Sequence, residues 1–134
     1  MNAVPASRTM MGHTLLADGL ASGATGALMC FGASPLSELL GLDVTLLRVA
    51  GGGLLPYAAM LVFFALRPLV SRAFVWTIIG INVMWTADSF ALLASGWVQP
   101  TAWGQAFVVV QALAVAVFAG LQGMALKQAR LVPA

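Results

Sequence analysis

The chain has 134 residues, 61% hydrophobic and 7% charged, with six cations, four anions and a mean hydropathy of +0.99. Soluble domains carry roughly 25% charged residues, so the exterior of this chain is expected to face lipid. One cysteine (Cys30) and one histidine (His13) exclude an internal disulfide, a CxxC pair and a two-histidine haem or zinc site. The cations stand singly, which excludes a nucleic-acid surface.

A bilayer core about 30 Å thick is crossed by about 20 apolar residues in a helix. Four segments reach that length, over about 14–33, 45–66, 73–97 and 102–126. They predict an all-α bundle of four transmembrane helices in one membrane domain, residues 1–134.

The first span is rich in glycine. Gly19 and Gly23 form a GxxxG pair, and Ser22 and Gly26 repeat the spacing. Thr14, Asp18, Ser22 and Thr25 fall on one helical stripe. Small and polar residues bring helices together in lipid, so this surface is expected to face protein. Asp18 lies about one turn inside, where Arg8, Arg67, Arg72 or Lys127 is expected to neutralise it. It also interrupts the apolar core, which argues against a cleaved signal peptide. Met29 before Cys30 does not fit a lipoprotein site, and Cys30 reads as a small buried hydrophobe.

The following "SPLSELLGLD" predicts a short helix at the membrane interface. Ser34 caps it, Pro35 takes its first position, Gly41 ends it, and Asp43 caps the second span. In that second span, Gly52, Gly53 and Pro56 weaken the helix, since proline removes a backbone bond and crowds the preceding turn. The structural reading is a tolerated kink. The functional one is a hinge that lines a cavity.

The third span holds the most costly residue, Asp88, in "INVMWTADSFALLASGW". Its depth below the nearer boundary is about 14 Å at 1.5 Å per residue. Arg48 is the only cation near that side, which predicts a buried Asp88–Arg48 ion pair, with Asn82, Trp85, Thr86 and Ser89 sharing its hydrogen bonds or lining a small cavity. Breaking such a pair costs on the order of 3–5 kcal/mol. The sharper alternative is that Asp88 changes protonation during transport. In the fourth span, Ala112, Ala116 and Gly120, flanked by Ala119 and Gly123, predict an inward packing face together with Gln111 and Gln122. Trp97, Trp103 and Tyr57 read as interface or packing aromatics.

The cations set the orientation. Arg8, Arg67, Arg72, Lys127 and Arg130 fall on one side, while Glu38 and Asp43 lie opposite with Arg48. The positive-inside rule then places both termini in the cytoplasm, in a bacterial inner membrane.

The motifs "GLLPYAAMLVFFALRP", the Asn82, Trp85 and Ser89 pattern and "GWVQPTAWGQAFVVVQAL" carry a resemblance. Over most of its length the chain resembles a group of small uncharacterised bacterial four-helix integral membrane proteins, and its layout is loosely similar to DoxX-like proteins. The group implies a four-helix inner-membrane protein and no particular activity. Small multidrug transporters share the size, but their first-span glutamate is replaced by Asp18 and the rest of their motif is missing.

No nucleophile–base set stands out, and no cofactor or metal site is expected. The leading expectation is a non-enzymatic accessory or assembly subunit that meets a membrane-protein partner in the bilayer. The alternative is a small proton-coupled transporter, working as a homo-oligomer with Asp88 or Asp18 as carrier.

Overall fold

The computed structural model describes residues 2–133. In chain order these form strand β1 (Asn2–Pro5), helix α1 (Met10–Phe31), the short α2 (Ala33–Leu40), α3 (Val44–Ala65), strand β2 (Leu69–Ser71), α4 (Arg72–Ser95), α5 (Ala102–Gln128) and strand β3 (Val132–Pro133). The four long helices are each long and apolar enough to cross a membrane. The fold is all-α in class, as the four apolar runs require.

Local chemistry sets the boundaries. Thr9 caps α1 by accepting from the Gly12 N–H at 3.3 Å, so the helix starts at Met10, four residues before the expected position. Asp43 caps α3, with one carboxylate oxygen accepting from the Thr45 and Leu46 N–H groups. Ser71 and Thr101 cap α4 and α5 in the same way. Gly41 and Gly96 end α2 and α4 with φ of 69° and 78°, a region that costs glycine nothing. The expected start of α2 differs: the helix begins at Ala33 with no side-chain cap, so Ser34 and Pro35 lie inside its first turn.

A small sheet, for which the sequence carries no periodic signal, joins the two termini and the α3–α4 connection. β1 is central, pairing antiparallel with β2 through Ala3↔Ser71, Val4↔Val70 and Pro5↔Leu69, and with β3 through Asn2↔Pro133 and Ala3↔Val132. Strands of two to four residues are too short to carry an alternating pattern. Val4, Ala6 and Val70 from this region pack with Met11, Leu15, Leu61, Val75, Ile78 and Leu126 and close one end of the bundle. The other end is closed by a second apolar cluster around α2, with Met29, Ala33, Leu40, Leu42, Leu47 and Val108. Arg8, Arg67, Arg72, Lys127 and Arg130 are all exposed at the sheet end.

Helix α1 packs closely on α3 and α4 on α5, α1 also touches α5, while α3 and α4 scarcely meet. The α1–α3 approach runs through glycine. A Cβ on Gly26 would lie 2.8 Å from the Gly51 carbonyl oxygen, and one on Gly51 would lie 2.7 Å from the Cys30 nitrogen. Gly19 meets Val62, and Gly23 faces Ala58 at 3.3 Å. One expectation needs correction. Gly120, like Gly123, has open space beside it, because α5 packs through Ala112, Ala119 and Ala125 instead. Gly52 and Gly53 also stand open, and α3 runs unbroken through Pro56. The helix therefore tolerates the proline, and the glycine that matters for packing is Gly51.

Candidate binding site

The midsection between the two plugs is polar. Asp18, on α1, is fully buried. One of its oxygens accepts from Asn82 Nδ2 at 2.8 Å and from Gln122 Nε2 at 2.7 Å, and the other accepts from Ser22 Oγ at 3.2 Å. Asn82 Nδ2 spends its second hydrogen on Gln122 Oε1 at 3.1 Å. Tyr57 Oη donates to Asn82 Oδ1 at 2.8 Å. Thus α1 places two polar side chains, and α3, α4 and α5 one each, in a single network. In lipid each unpaired polar group is costly, and among the described residues no buried side-chain nitrogen or oxygen lacks a partner.

The expected neutralisation of Asp18 by Arg8, Arg67, Arg72 or Lys127 is therefore corrected. Those cations are exposed at the sheet end, and two carboxamides and a hydroxyl hold the carboxyl group instead. Gln122 faces inward, and its partner there is Asp18. Tyr57, read from the sequence as a packing aromatic, anchors Asn82. The spacing of Asp18 and Ser22 by one turn was visible, whereas their long-range partners were not.

A second network lies toward the α2 end. Trp85 Nε1 donates to Gln111 Oε1 at 2.6 Å. Gln111 Nε2 donates to Ser89 Oγ at 3.1 Å and to the Val108 carbonyl at 2.8 Å. Thr86 Oγ1 donates to the Asn82 carbonyl at 2.9 Å and reaches that of Ala112 at 3.3 Å. These bonds join α4 to α5. The structure brings Asn82, Trp85, Ser89 and Gln111 together around Asp18 and around one another, and not around Asp88.

Asp88 and Arg48 are both exposed, and they do not form the expected buried pair. They sit on α4 and α3, which meet through few residues, Tyr57 with Asn82 and Phe64 with Phe74 among them. Asp88→Ala is accordingly expected to change detergent stability by no more than about 0.5 kcal/mol, as for other exposed substitutions. A double-mutant cycle with Arg48→Met, read by thermal unfolding, should give a coupling near zero.

The gap left where α3 and α4 part is a cavity of about 600 Å³. Ser22 and Thr25 of α1, Gly53, Leu54 and Tyr57 of α3, Asn82 and Trp85 of α4, and Phe107, Gln111 and Phe118 of α5 line it. Val49, Ile81 and Val110 also line it, and they are 69%, 40% and 65% exposed. All three lie within membrane-length helices, Ile81 near the middle of α4. The opening is therefore on the flank of the bundle, between the ends of the membrane-length helices. Its walls are apolar and aromatic, and its floor is the pair of hydrogen-bond networks. Among the described residues no three His, Cys, Asp or Glu side chains gather to hold a metal ion.

Fold and site together define a multi-pass membrane bundle with a side-opening cavity over a fully bonded polar floor. Comparison with protein-family models, curated proteins and solved structures finds no match.

Proposed function

We propose that this chain is a non-enzymatic protein of the bacterial inner membrane, with both termini cytoplasmic, that binds a small amphiphilic molecule taken sideways from the bilayer. The observation that carries this reading is the cavity. Its volume of about 600 Å³ falls in the range of small-molecule sites, roughly 300–1,000 Å³, which are mostly apolar with a few placed polar groups. The gathering of five cations at the sheet end supports the orientation.

Gly53 lines the cavity, and a Cβ there meets nothing within 4 Å. Gly53→Phe is therefore expected to fill the space without clashing with the fold. Solvent extracts of purified wild-type protein, analysed by mass spectrometry, should contain an apolar compound near one per chain. Extracts of folded Gly53→Phe should lack it. Equal contents in the two would sink the reading.

A second reading, an assembly subunit with a membrane-protein partner, is favoured by Asp88. It is an exposed carboxylate within a membrane-length helix, and such a charge is costly in lipid unless something covers it. Purification in mild detergent tests this reading. A stoichiometric partner lost on Asp88→Leu supports it, and a lone chain with unaltered behaviour in that variant removes it.

A further inference from the structure

The hydrogen bonds of the cavity floor are unevenly spent. Every N–H on its lining side chains is committed within the protein: both from Asn82 to Asp18 and Gln122, both from Gln111 to Ser89 and the Val108 carbonyl, and that of Trp85 to Gln111. The hydroxyls of Tyr57 and Ser22 donate to Asn82 and Asp18. Only the Thr25 hydroxyl has no partner among the described residues.

The acceptors are under-used by comparison. A carboxamide oxygen can take two hydrogen bonds, yet Asn82 Oδ1 takes one from Tyr57 and Gln111 Oε1 takes one from Trp85. The hydroxyl oxygens of Tyr57 and Ser22 are free to accept as well. Neither amide can be turned over to reverse this. A flipped Asn82 would set its oxygen against the Asp18 carboxyl oxygen and its NH2 against the Tyr57 donor. A flipped Gln111 would set its NH2 against the Trp85 N–H. The buried carboxyl of Asp18 thus orients Asn82, a cavity-lining residue whose oxygen keeps one acceptor site.

We infer that the cavity selects amphiphiles whose polar head donates hydrogen bonds, such as a hydroxyl or amine, and disfavours heads that only accept, such as ketones, quinones, ethers and esters. This rests on the cavity being a binding site. A donating head would meet Asn82 Oδ1 or Gln111 Oε1, with its apolar body against Phe107, Phe118 and Leu54. An accepting head would face oxygens and lose the hydrogen bonds it made elsewhere.

The test compares 4-octylphenol, which donates, with 4-octylanisole, which only accepts, by equilibrium binding to the full chain in nanodiscs. Binding to Gly53→Phe nanodiscs is subtracted as the lipid background. One hydrogen bond of ordinary strength predicts a preference for the phenol of about 3- to 10-fold. Equal binding, or a preference for the anisole, overturns the selectivity while leaving the cavity a binding site. No specific binding of either probe overturns both.

Gln111→Leu supplies an independent arm. It removes one acceptor and leaves the Trp85 N–H unpaired, so the phenol preference should shrink or reverse. Thr25→Val removes the one uncommitted donor and should leave phenol binding within about 2-fold, a change smaller than the loss of one hydrogen bond. A Gln111→Leu protein that keeps the full preference excludes Gln111 Oε1 as the acceptor. Asn82 Oδ1 is then the acceptor, and a further Tyr57→Phe substitution, which retains the ring and removes the one protein donor to that oxygen, should leave the preference intact or strengthen it; a preference abolished by that substitution overturns the inference.

Discussion

Asp18→Ala should be among the most destabilising single substitutions in the bundle, and Asp18→Asn close to neutral. Alanine removes the acceptor for both Asn82 Nδ2 and Gln122 Nε2. Two buried amide donors are then orphaned, at roughly 1–3 kcal/mol each. Polar contacts inside membranes tend to measure lower, at roughly 0.6 kcal/mol on average, so a loss of about 2–3 kcal/mol is expected. Asparagine behaves differently because both amides donate to the same carboxyl oxygen, Oδ2. A carboxamide oxygen at that place can accept both bonds. Its NH2 then falls where Oδ1 stood, and the Ser22 hydroxyl can rotate to accept from it. Unfolding in detergent should therefore rank wild type and Asp18→Asn together, with Asp18→Ala well below. If Asp18→Asn is as damaging as alanine, the network depends on a charge and not on an acceptor. If it folds normally yet abolishes pH-dependent cargo binding, Asp18 is a proton carrier, because Ser22 and Asn82 connect it directly to the cavity.

The helices, their approximate ends and the end that gathers the cations could all be read from the sequence. Apolar length fixes what can span a membrane, and caps such as Asp43 and Gly41 act within a few residues of themselves. The directions in which side chains point were harder to read. In a soluble helix, polar residues mark the outside. Here the outside is apolar as well, so Gly120 and Gly26 look alike in sequence, yet one faces open space and the other the backbone of α3. The same ambiguity misled the reading of Asp88. A costly charge was expected to turn inward, and it stands exposed while Asp18 takes the buried position. The partners of Asp18 lie 64 and 104 residues away. Only packing brings them together, and no local spacing encodes it. The sheet escaped for the opposite reason: its pairing is long-range and its strands are too short to show a period.

Gly51→Ala should separate packing from propensity within one run of three glycines. At Gly51 the added methyl would lie 2.7 Å from the Cys30 nitrogen and the Gly26 oxygen. Both are backbone atoms, which cannot rotate away, so α1 and α3 must move apart. Overpacking of this kind costs about 1–3 kcal/mol. At Gly52 and Gly53 the same methyl meets nothing within 4 Å, and alanine is the better helix former by up to about 1 kcal/mol. Thermal unfolding in detergent should therefore fall for Gly51→Ala and hold or rise for Gly52→Ala and Gly53→Ala. Gly26→Ala presses on the same crossing point, 2.8 Å from the Gly51 oxygen, so it should resemble Gly51→Ala. Once one methyl has forced the helices apart, the second finds room already made, and the Gly26→Ala/Gly51→Ala double variant should lose less than the sum of the two. Strict additivity, or equal effects at all three glycines, would mean that α1 and α3 do not cross at this point in the membrane.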